Sequence, residues 1–158
     1  MLFMTHLTKF SFGTTSAVVT SLAFVVGLSG TSKPTIILSL LVFAVADNIS
    51  DSLGIHIFQE SDLKNARVIR VSTFSNFFTR LSLVLIFVLI VAFLPIDYAA
   101  IASLIYGMSA LSVLSYLIAR ERKSSAYTSI FWHISIAILV IAVSYVLRVW
   151  ITNFFVGA

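Results

Sequence analysis

Five long apolar segments constrain this chain more than any other feature of its sequence. They cover roughly residues 12–29, 35–59, 75–94, 98–119 and 127–150. A bilayer core about 30 Å thick needs about 20 helical residues to cross it, so segments of this length predict membrane-spanning helices. The composition agrees, because 59% of the residues are hydrophobic and only 10% are charged, far from the balance of a soluble domain.

The links between these segments are short. Residues 30–34 separate the first two segments, and residues 95–97 separate the third from the fourth. No linker rich in Pro, Gly or Ser divides the 158 residues. We therefore expect an all-α integral membrane protein with a single domain, residues 1–158, built as a bundle of five transmembrane helices.

The basic residues predict the orientation of the bundle. With the N-terminus inside and the C-terminus outside, eight of the ten Lys and Arg residues lie on the inner side: Lys9, Lys64, Arg67, Arg70, Arg80, Arg120, Arg122 and Lys123. Cytoplasmic loops carry such an excess. We interpret the formal charge of +4 as a sign of orientation and expect no nucleic-acid partner. The expected location is the cytoplasmic membrane of a prokaryote, with the lipid bilayer as the main partner.

The five segments differ in side-chain size and polarity. The first and fourth carry many small and hydroxyl residues, which allow close helix approach, so we expect them inside the bundle. The third is almost purely apolar from Leu81 to Leu94, which favours a lipid-facing position. The glycines expected at helix-packing positions are Gly13, Gly27, Gly54 and Gly107.

Two acids in the second segment are the most informative polar residues. Asp47 lies at the midpoint of the segment, and Asp51 follows four residues later, so both carboxylates project from the same helix face. A charged side chain at this depth costs about 2.5–3.5 kcal/mol on insertion scales, and two carboxylates also repel each other. The compensation is a bound cation, a proton or a basic partner. In a purely structural alternative, the acids bond hydroxyls of neighbouring helices.

Arg80 is the candidate basic partner. Counting about 20 residues inward from Leu94 places Arg80 more than a turn inside the membrane, at a depth similar to that of Asp51. Pairing with Asp51 and snorkelling of Arg80 to the headgroups both fit this depth.

Catalytic motifs are missing from the sequence. It contains no cysteine, no Gly-rich phosphate loop, no HExxH and no GxSxG, so we expect no enzymatic activity and no firmly bound cofactor.

The order of motifs resembles the vacuolar iron transporter family. The first helix of that family is of the type GANDGIVTTF followed by AGL, and GTTSAVVTSL at residues 13–22 with GLSG at residues 27–30 follows this outline. The second helix of the family reads like ADALSMALGEY, and ADNISDSLGIH at residues 46–56 matches it at Ala, Asp, Ser, Leu and Gly. Five spans with the N-terminus inside also agree with the family.

The departures from the family change the expected ligands. The first-helix Asp of the family falls on Ser16, its second-helix Met falls on Asp51, and its Glu falls on Ile55, so that only Asp47 remains as an acid. Its Glu-rich cytoplasmic insert is absent, as it also is from nodulin-like relatives. A carboxylate in place of a thioether shifts the preference toward hard cations such as Mn²⁺, Mg²⁺ or Ca²⁺, with Fe²⁺ still compatible.

The resemblance implies a divalent cation transporter of the Fe²⁺/Mn²⁺ type. Such a protein moves its cation out of the cytoplasm, with proton coupling left open, and acts as a homodimer with the path at the interface. The metal ligands expected here are Asp47 and Asp51, together with the hydroxyls of Ser16 and Thr20, and Arg80 is the charge partner or gate. The alternative is a membrane protein that transports nothing, whose polar residues only hold helices together or bind a partner subunit.

Overall fold

The computed structural model describes the backbone of residues 4–62 and 65–155 and the side chains of residues 13–62 and 65–155. Within these ranges the chain is all α-helical and forms five helices: α1 (Met4–Gly27), α2 (Lys33–Ser61), α3 (Ala66–Phe93), α4 (Ile96–Glu121) and α5 (Ala126–Phe155). The all-α prediction is confirmed. Each helix begins before its predicted apolar segment, and α2, α4 and α5 also end after it, whereas α1 and α3 end one or two residues before the predicted end.

Local sequence explains where these helices begin and end. Ser32 caps α2, accepting a hydrogen bond from the Thr35 backbone N–H at 3.4 Å, and a proline follows in the first turn. Asn65 caps α3 in the same way through the Arg67 N–H at 2.9 Å. At the other end of α3, Leu94 has an extended backbone with ψ 151°, because a residue before proline avoids the helical region.

Helices α2, α3, α4 and α5 are long and apolar enough to cross a membrane. Their 26 to 30 residues exceed the about 20 that a bilayer core requires. The described apolar part of α1, Gly13–Gly27, is shorter than that length. Length and composition thus indicate an integral membrane protein with at least four spans.

Three helices form the centre of the bundle and two flank it. The central helices are α1, α3 and α4, and α1 packs against both of the others. Helix α2 packs chiefly on α3, whereas α5 packs on α1 and α4. The central positions of α1 and α4 agree with the small residues in their sequences. Helix α3 has two faces: Val84, Phe87 and Val91 are fully buried, whereas Leu89 and Phe93 are more than half exposed. The lipid-facing prediction for the third segment therefore missed its buried face.

The helix that most resembles a lipid-facing one is α5. Ala137 is its one buried residue in the described chain, and large apolar side chains such as Leu139 and Val146 are more than 60% exposed. The uniformly apolar half of α3 was misleading because a central helix and a lipid-facing helix can have the same apolar composition. Which face packs is decided by neighbours that periodicity alone does not reveal.

Candidate functional site

The candidate site is an ion triad that joins α2 to α3. The two terminal nitrogens of the Arg80 guanidinium each donate to one carboxylate, Nη1 to Oδ2 of Asp51 and Nη2 to Oδ2 of Asp47. Arg80 is only 1% exposed, whereas the side chains of Asp47 and Asp51 are 38% and 31% exposed. The cation is therefore inside the bundle, and the anions lie at its edge.

Helical spacing and guanidinium geometry explain this arrangement. Asp47 and Asp51 are one turn apart on α2, so their carboxylates lie one above the other beside α3. A planar guanidinium has forked donors that can serve two acceptors at once, which an ammonium group cannot do in a fixed geometry. The structure thus contains the pairing with Asp51 and adds Asp47 to it, whereas Arg80 does not snorkel toward the headgroups.

Gly13 on α1 makes room for the arginine. A Cβ at this position would lie 2.9 Å from Cδ of Arg80 and in direct collision with Oδ1 of Asn76. Any larger residue would push α1 away from α3 or displace the arginine. Gly13 therefore lies at a close helix contact that seals the buried side of the triad.

A layer of buried polar atoms adjoins the triad. Asn48, Ser52 and Asn76 are at most 5% exposed, and each has at least one side-chain polar atom without a hydrogen-bond partner among the described residues; Nε of Arg80 is in the same condition. Buried polar groups normally have a partner, which can be an ordered water molecule. The interior beside Arg80 is therefore polar.

The sequence interpretation missed Asn48 and Asn76. A signal for both was available, because Asn48 belongs to the buried stripe of α2, four residues after Ala44 and four before Ser52. Asn76 is likewise four residues before Arg80 on the buried face of α3. A polar stripe at this spacing on two consecutive segments is typical of helices that face each other.

Hydrogen bonds continue from the triad toward the ends where α2 stops and α3 starts. Asn48 Nδ2 donates to the Phe77 carbonyl at 2.8 Å, and Gln59 Nε2 donates to Ser72 Oγ at 2.8 Å. Between them, His56 Nδ1 lies 3.3 Å from Thr73 Oγ1. This half of the α2–α3 contact is polar, whereas the other half is apolar, with Leu40 and other large side chains in the core.

Both carboxylates open toward the outer surface of α2. Asp47 lines a groove of about 590 Å³ together with Phe24 of α1 and apolar residues of α2. Asp51 lines a smaller depression of about 220 Å³ beside Ser50 and Gly54. One oxygen of each carboxylate thus accepts a hydrogen bond from Arg80, and the remaining surface of each carboxylate is accessible from outside this chain.

The first-helix hydroxyls do not join this site within one chain. Thr20 lines a separate cavity of about 400 Å³ between α1 and α5, to which Arg148 also contributes. In the described part of the chain, neither Ser16 nor Thr20 is hydrogen-bonded to either carboxylate, and no group of three or more His, Cys, Asp or Glu residues could hold a metal ion. Two carboxylates alone are too few for the coordination sphere of a divalent cation.

The remaining glycines differ in their surroundings. At Gly107 of α4 a Cβ would lie 2.8 Å from a methyl group of Leu22, so α1 and α4 approach closely there. A Cβ at Gly27 would make an ordinary contact of 3.6 Å with Ser144. Gly54 has nothing within 4 Å, so its predicted packing role is wrong within this chain, because it lies on the outer face of α2.

Comparisons of the chain with protein-family models, with curated proteins and with solved structures found no match. The functional argument therefore depends on the geometry of the site.

Proposed function

We propose that this chain is a membrane cation transporter in which Asp47 and Asp51 bind a divalent cation. The observation that supports this proposal is the imbalance of the triad, in which two carboxylates share one guanidinium. With both carboxylates ionised, one negative charge would remain uncompensated at the edge of the bundle, and the buried part of such a charge is costly. A cation that approaches from the outer side of α2 would remove that cost.

Arg80 acts as the internal competitor of the transported cation. In the empty site it holds both carboxylates, and a cation that uses their oxygens must displace at least one of its two hydrogen bonds. The carboxylate oxygens favour hard ions such as Mn²⁺, Mg²⁺ or Ca²⁺, and Fe²⁺ remains compatible. Protons compete for the same oxygens, so cation binding weakens as the pH falls, which permits proton coupling.

A homodimer would complete the coordination sphere. Because the carboxylates open on the outer face of α2, a two-fold axis beside that face would bring four carboxylates together. The proposal also includes α1 as a fifth span, the N-terminus on the cytoplasmic side, export from the cytoplasm and a prokaryotic cytoplasmic membrane. The five helices support the fifth span, and the excess of Lys and Arg on one side supports the orientation.

The test combines binding and transport. Purified protein in detergent is heated with Mn²⁺, Fe²⁺, Mg²⁺, Ca²⁺ or Zn²⁺ across a pH series, and uptake of the same ions is measured in proteoliposomes. We expect hard divalent ions to stabilise the wild type, more strongly at higher pH, and to be transported. Asp47→Asn and Asp51→Asn should lose both effects. Asp97→Asn is the matched control, because this exposed acid at the start of α4 lies outside the triad.

The second candidate is a structural membrane protein that transports nothing. The observation in its favour is that both carboxylates already have a partner in the same chain. In that case, no divalent ion stabilises the wild type more than it stabilises the two Asn variants, and proteoliposomes show no uptake. Such a result would reject the transporter.

A further inference from the structure

A second polar cavity lies between α1, α4 and α5, near the end where α4 stops and α5 starts. Its volume is about 400 Å³. Its polar lining combines side chains of α1, of the α4–α5 link and of α5: Thr15, Arg122, Ser124, Ser129, Trp132 and His133. No carboxylate is among its lining residues, so the formal charge of the lining is positive.

The end of α4 fixes the position of Arg122 and Ser124. The Ser124 N–H donates to the Ala119 carbonyl at 2.9 Å, and the Lys123 N–H donates to the Arg120 carbonyl at 3.3 Å. This is the hydrogen-bond pattern of a Schellman turn, and Lys123 adopts the left-handed conformation that the turn requires, with φ 54°. The turn thus holds Arg122 and Ser124 together on the lining of the cavity.

Arg122 is available to a ligand. Its guanidinium has no hydrogen bond or ion pair with any residue in the described ranges, where Arg80 is the arginine that pairs with acids. A guanidinium with unused forked donors matches the oxygens of a phosphate group. The hydroxyls of Ser124 and Ser129 lie on the same lining and can donate to further oxygens.

His133 adds a hydrogen-bond acceptor to the cavity. Ser115 Oγ lies 2.6 Å from the Leu111 carbonyl oxygen, to which it donates, and 2.8 Å from Nδ1 of His133. With its single proton on the Leu111 carbonyl, the hydroxyl accepts from Nδ1–H of the ring. A neutral ring with its proton on Nδ1 leaves Nε2 as an acceptor. A ligand that uses this nitrogen must bring a donor of its own.

Exposed aromatic side chains next to the cavity indicate a membrane interface. Tyr127 is 89% exposed, Phe131 66% and Trp132 61%, all within the first two turns of α5. Aromatic residues of this kind concentrate at the headgroup level of a bilayer. Basic pockets between transmembrane helices at that level bind anionic headgroups.

We propose that this cavity binds the phosphate group of an anionic phospholipid whose headgroup carries a hydrogen-bond donor. The phosphate oxygens pair with Arg122 and the two serine hydroxyls, and the headgroup donor bonds Nε2 of His133. Phosphatidylglycerol satisfies both requirements, because it is anionic and has headgroup hydroxyls. Phosphatidylcholine satisfies neither, because its choline neutralises the phosphate and has no N–H or O–H.

The experiment is native mass spectrometry of the full chain, released from a non-ionic detergent and titrated with each lipid. Phosphatidylglycerol should bind about tenfold more tightly than phosphatidylcholine, because no choline cation offsets the attraction of its phosphate to Arg122 and its headgroup hydroxyl can donate to His133. Arg122→Gln should lose that preference. Arg120→Gln is the matched control, because Arg120 lies two residues away, is exposed and does not line the cavity. This variant removes the same charge and should change binding less than twofold.

Two further arms separate the sources of the phosphate and protect the test against misfolding. Inorganic phosphate at the lipid concentration should not compete; full competition would mean a free-phosphate site and would overturn the lipid assignment. Arg122→Lys retains the charge but not the fork, and it should bind phosphatidylglycerol with intermediate affinity. Equal binding of the two lipids, or equal losses for Arg122→Gln and Arg120→Gln, would also overturn the proposal. None of these outcomes depends on Asp47 or Asp51.

Discussion

At the scale of single residues, the stability of the site depends on the pairing of the buried Arg80 guanidinium. Removing one partner of a buried ion pair leaves an uncompensated charge, which costs about 3–5 kcal/mol when the pair is fully buried. The carboxylates here are about one-third exposed, so their own desolvation is only partial. The buried guanidinium, in contrast, depends fully on its two acids.

This asymmetry gives the first prediction. Either single variant, Asp47→Asn or Asp51→Asn, should lower the free energy of unfolding by about 1 kcal/mol or less, because the weaker hydrogen bond to Arg80 is partly offset by removal of the surplus negative charge. The double variant should cost about 3 kcal/mol or more, because it leaves a buried cation alone. Adding Arg80→Met to the double variant should recover most of the loss. Denaturant unfolding in detergent compares these four variants with the wild type, and additive losses without recovery would contradict a shared triad.

The transporter proposal predicts that loss of Arg80 has opposite effects on cation affinity and on stability. If Arg80 competes with the transported cation, Arg80→Gln should raise the affinity for Mn²⁺ by about tenfold or more, since one charge-assisted hydrogen bond no longer has to be broken. It should also destabilise the cation-free protein. Isothermal titration in detergent measures the affinity; weaker binding by this variant would show that Arg80 supports the cation instead of competing with it.

A pair of glycines supplies a matched comparison. Gly13→Ala should destabilise the protein by about 1–3 kcal/mol, the usual cost of overpacking, because its Cβ would meet Asn76 and Arg80. Gly54→Ala should be neutral or stabilising by up to about 1 kcal/mol, since alanine favours a helix and nothing lies within 4 Å. Thermal unfolding of both variants checks the difference, and equal effects would contradict the close contact of α1 with α3.

At the scale of helices, the contact between α2 and α3 is divided into a polar half and an apolar half. The polar half includes Gln59 and Ser72, which are 4% and 8% exposed and joined at 2.8 Å. A double-mutant cycle with Gln59→Ala and Ser72→Ala should give a coupling free energy of about 1 kcal/mol. A coupling near zero would mean that this hydrogen bond does not help to register the two helices.

Helix existence was predictable from the sequence, whereas helix environment was only partly so. Apolar length identified α2 to α5 because a bilayer requires a fixed span, and the depth of Arg80 in its segment led to its pairing with Asp51. The same reasoning placed α3 in lipid, because a buried apolar face and a lipid-facing one have the same composition. It also overlooked Asn76. The grouping of Ser16 and Thr20 with the acids came from the family resemblance and not from any spacing.

At the scale of the whole molecule, orientation is the property that one experiment can decide. The chain has no cysteine, so single cysteines can be introduced without a background. With the proposed orientation, Thr31→Cys in the α1–α2 link should react with an impermeant maleimide added outside intact cells, whereas Ser124→Cys should react only after the membrane is opened. The reverse pattern would invert the proposed direction of transport.

The buried position of Arg80 also has an electrical consequence. With both acids ionised, the triad carries one net negative charge near the middle of two helices that are long enough to span a bilayer. A membrane potential acts on one elementary charge with about 2.3 kcal/mol per 100 mV for a full crossing. An exchange of Arg80 for a divalent ion on these carboxylates would move charge through part of that voltage. The occupancy of the site would then follow the energisation of the cell as well as the ion concentration.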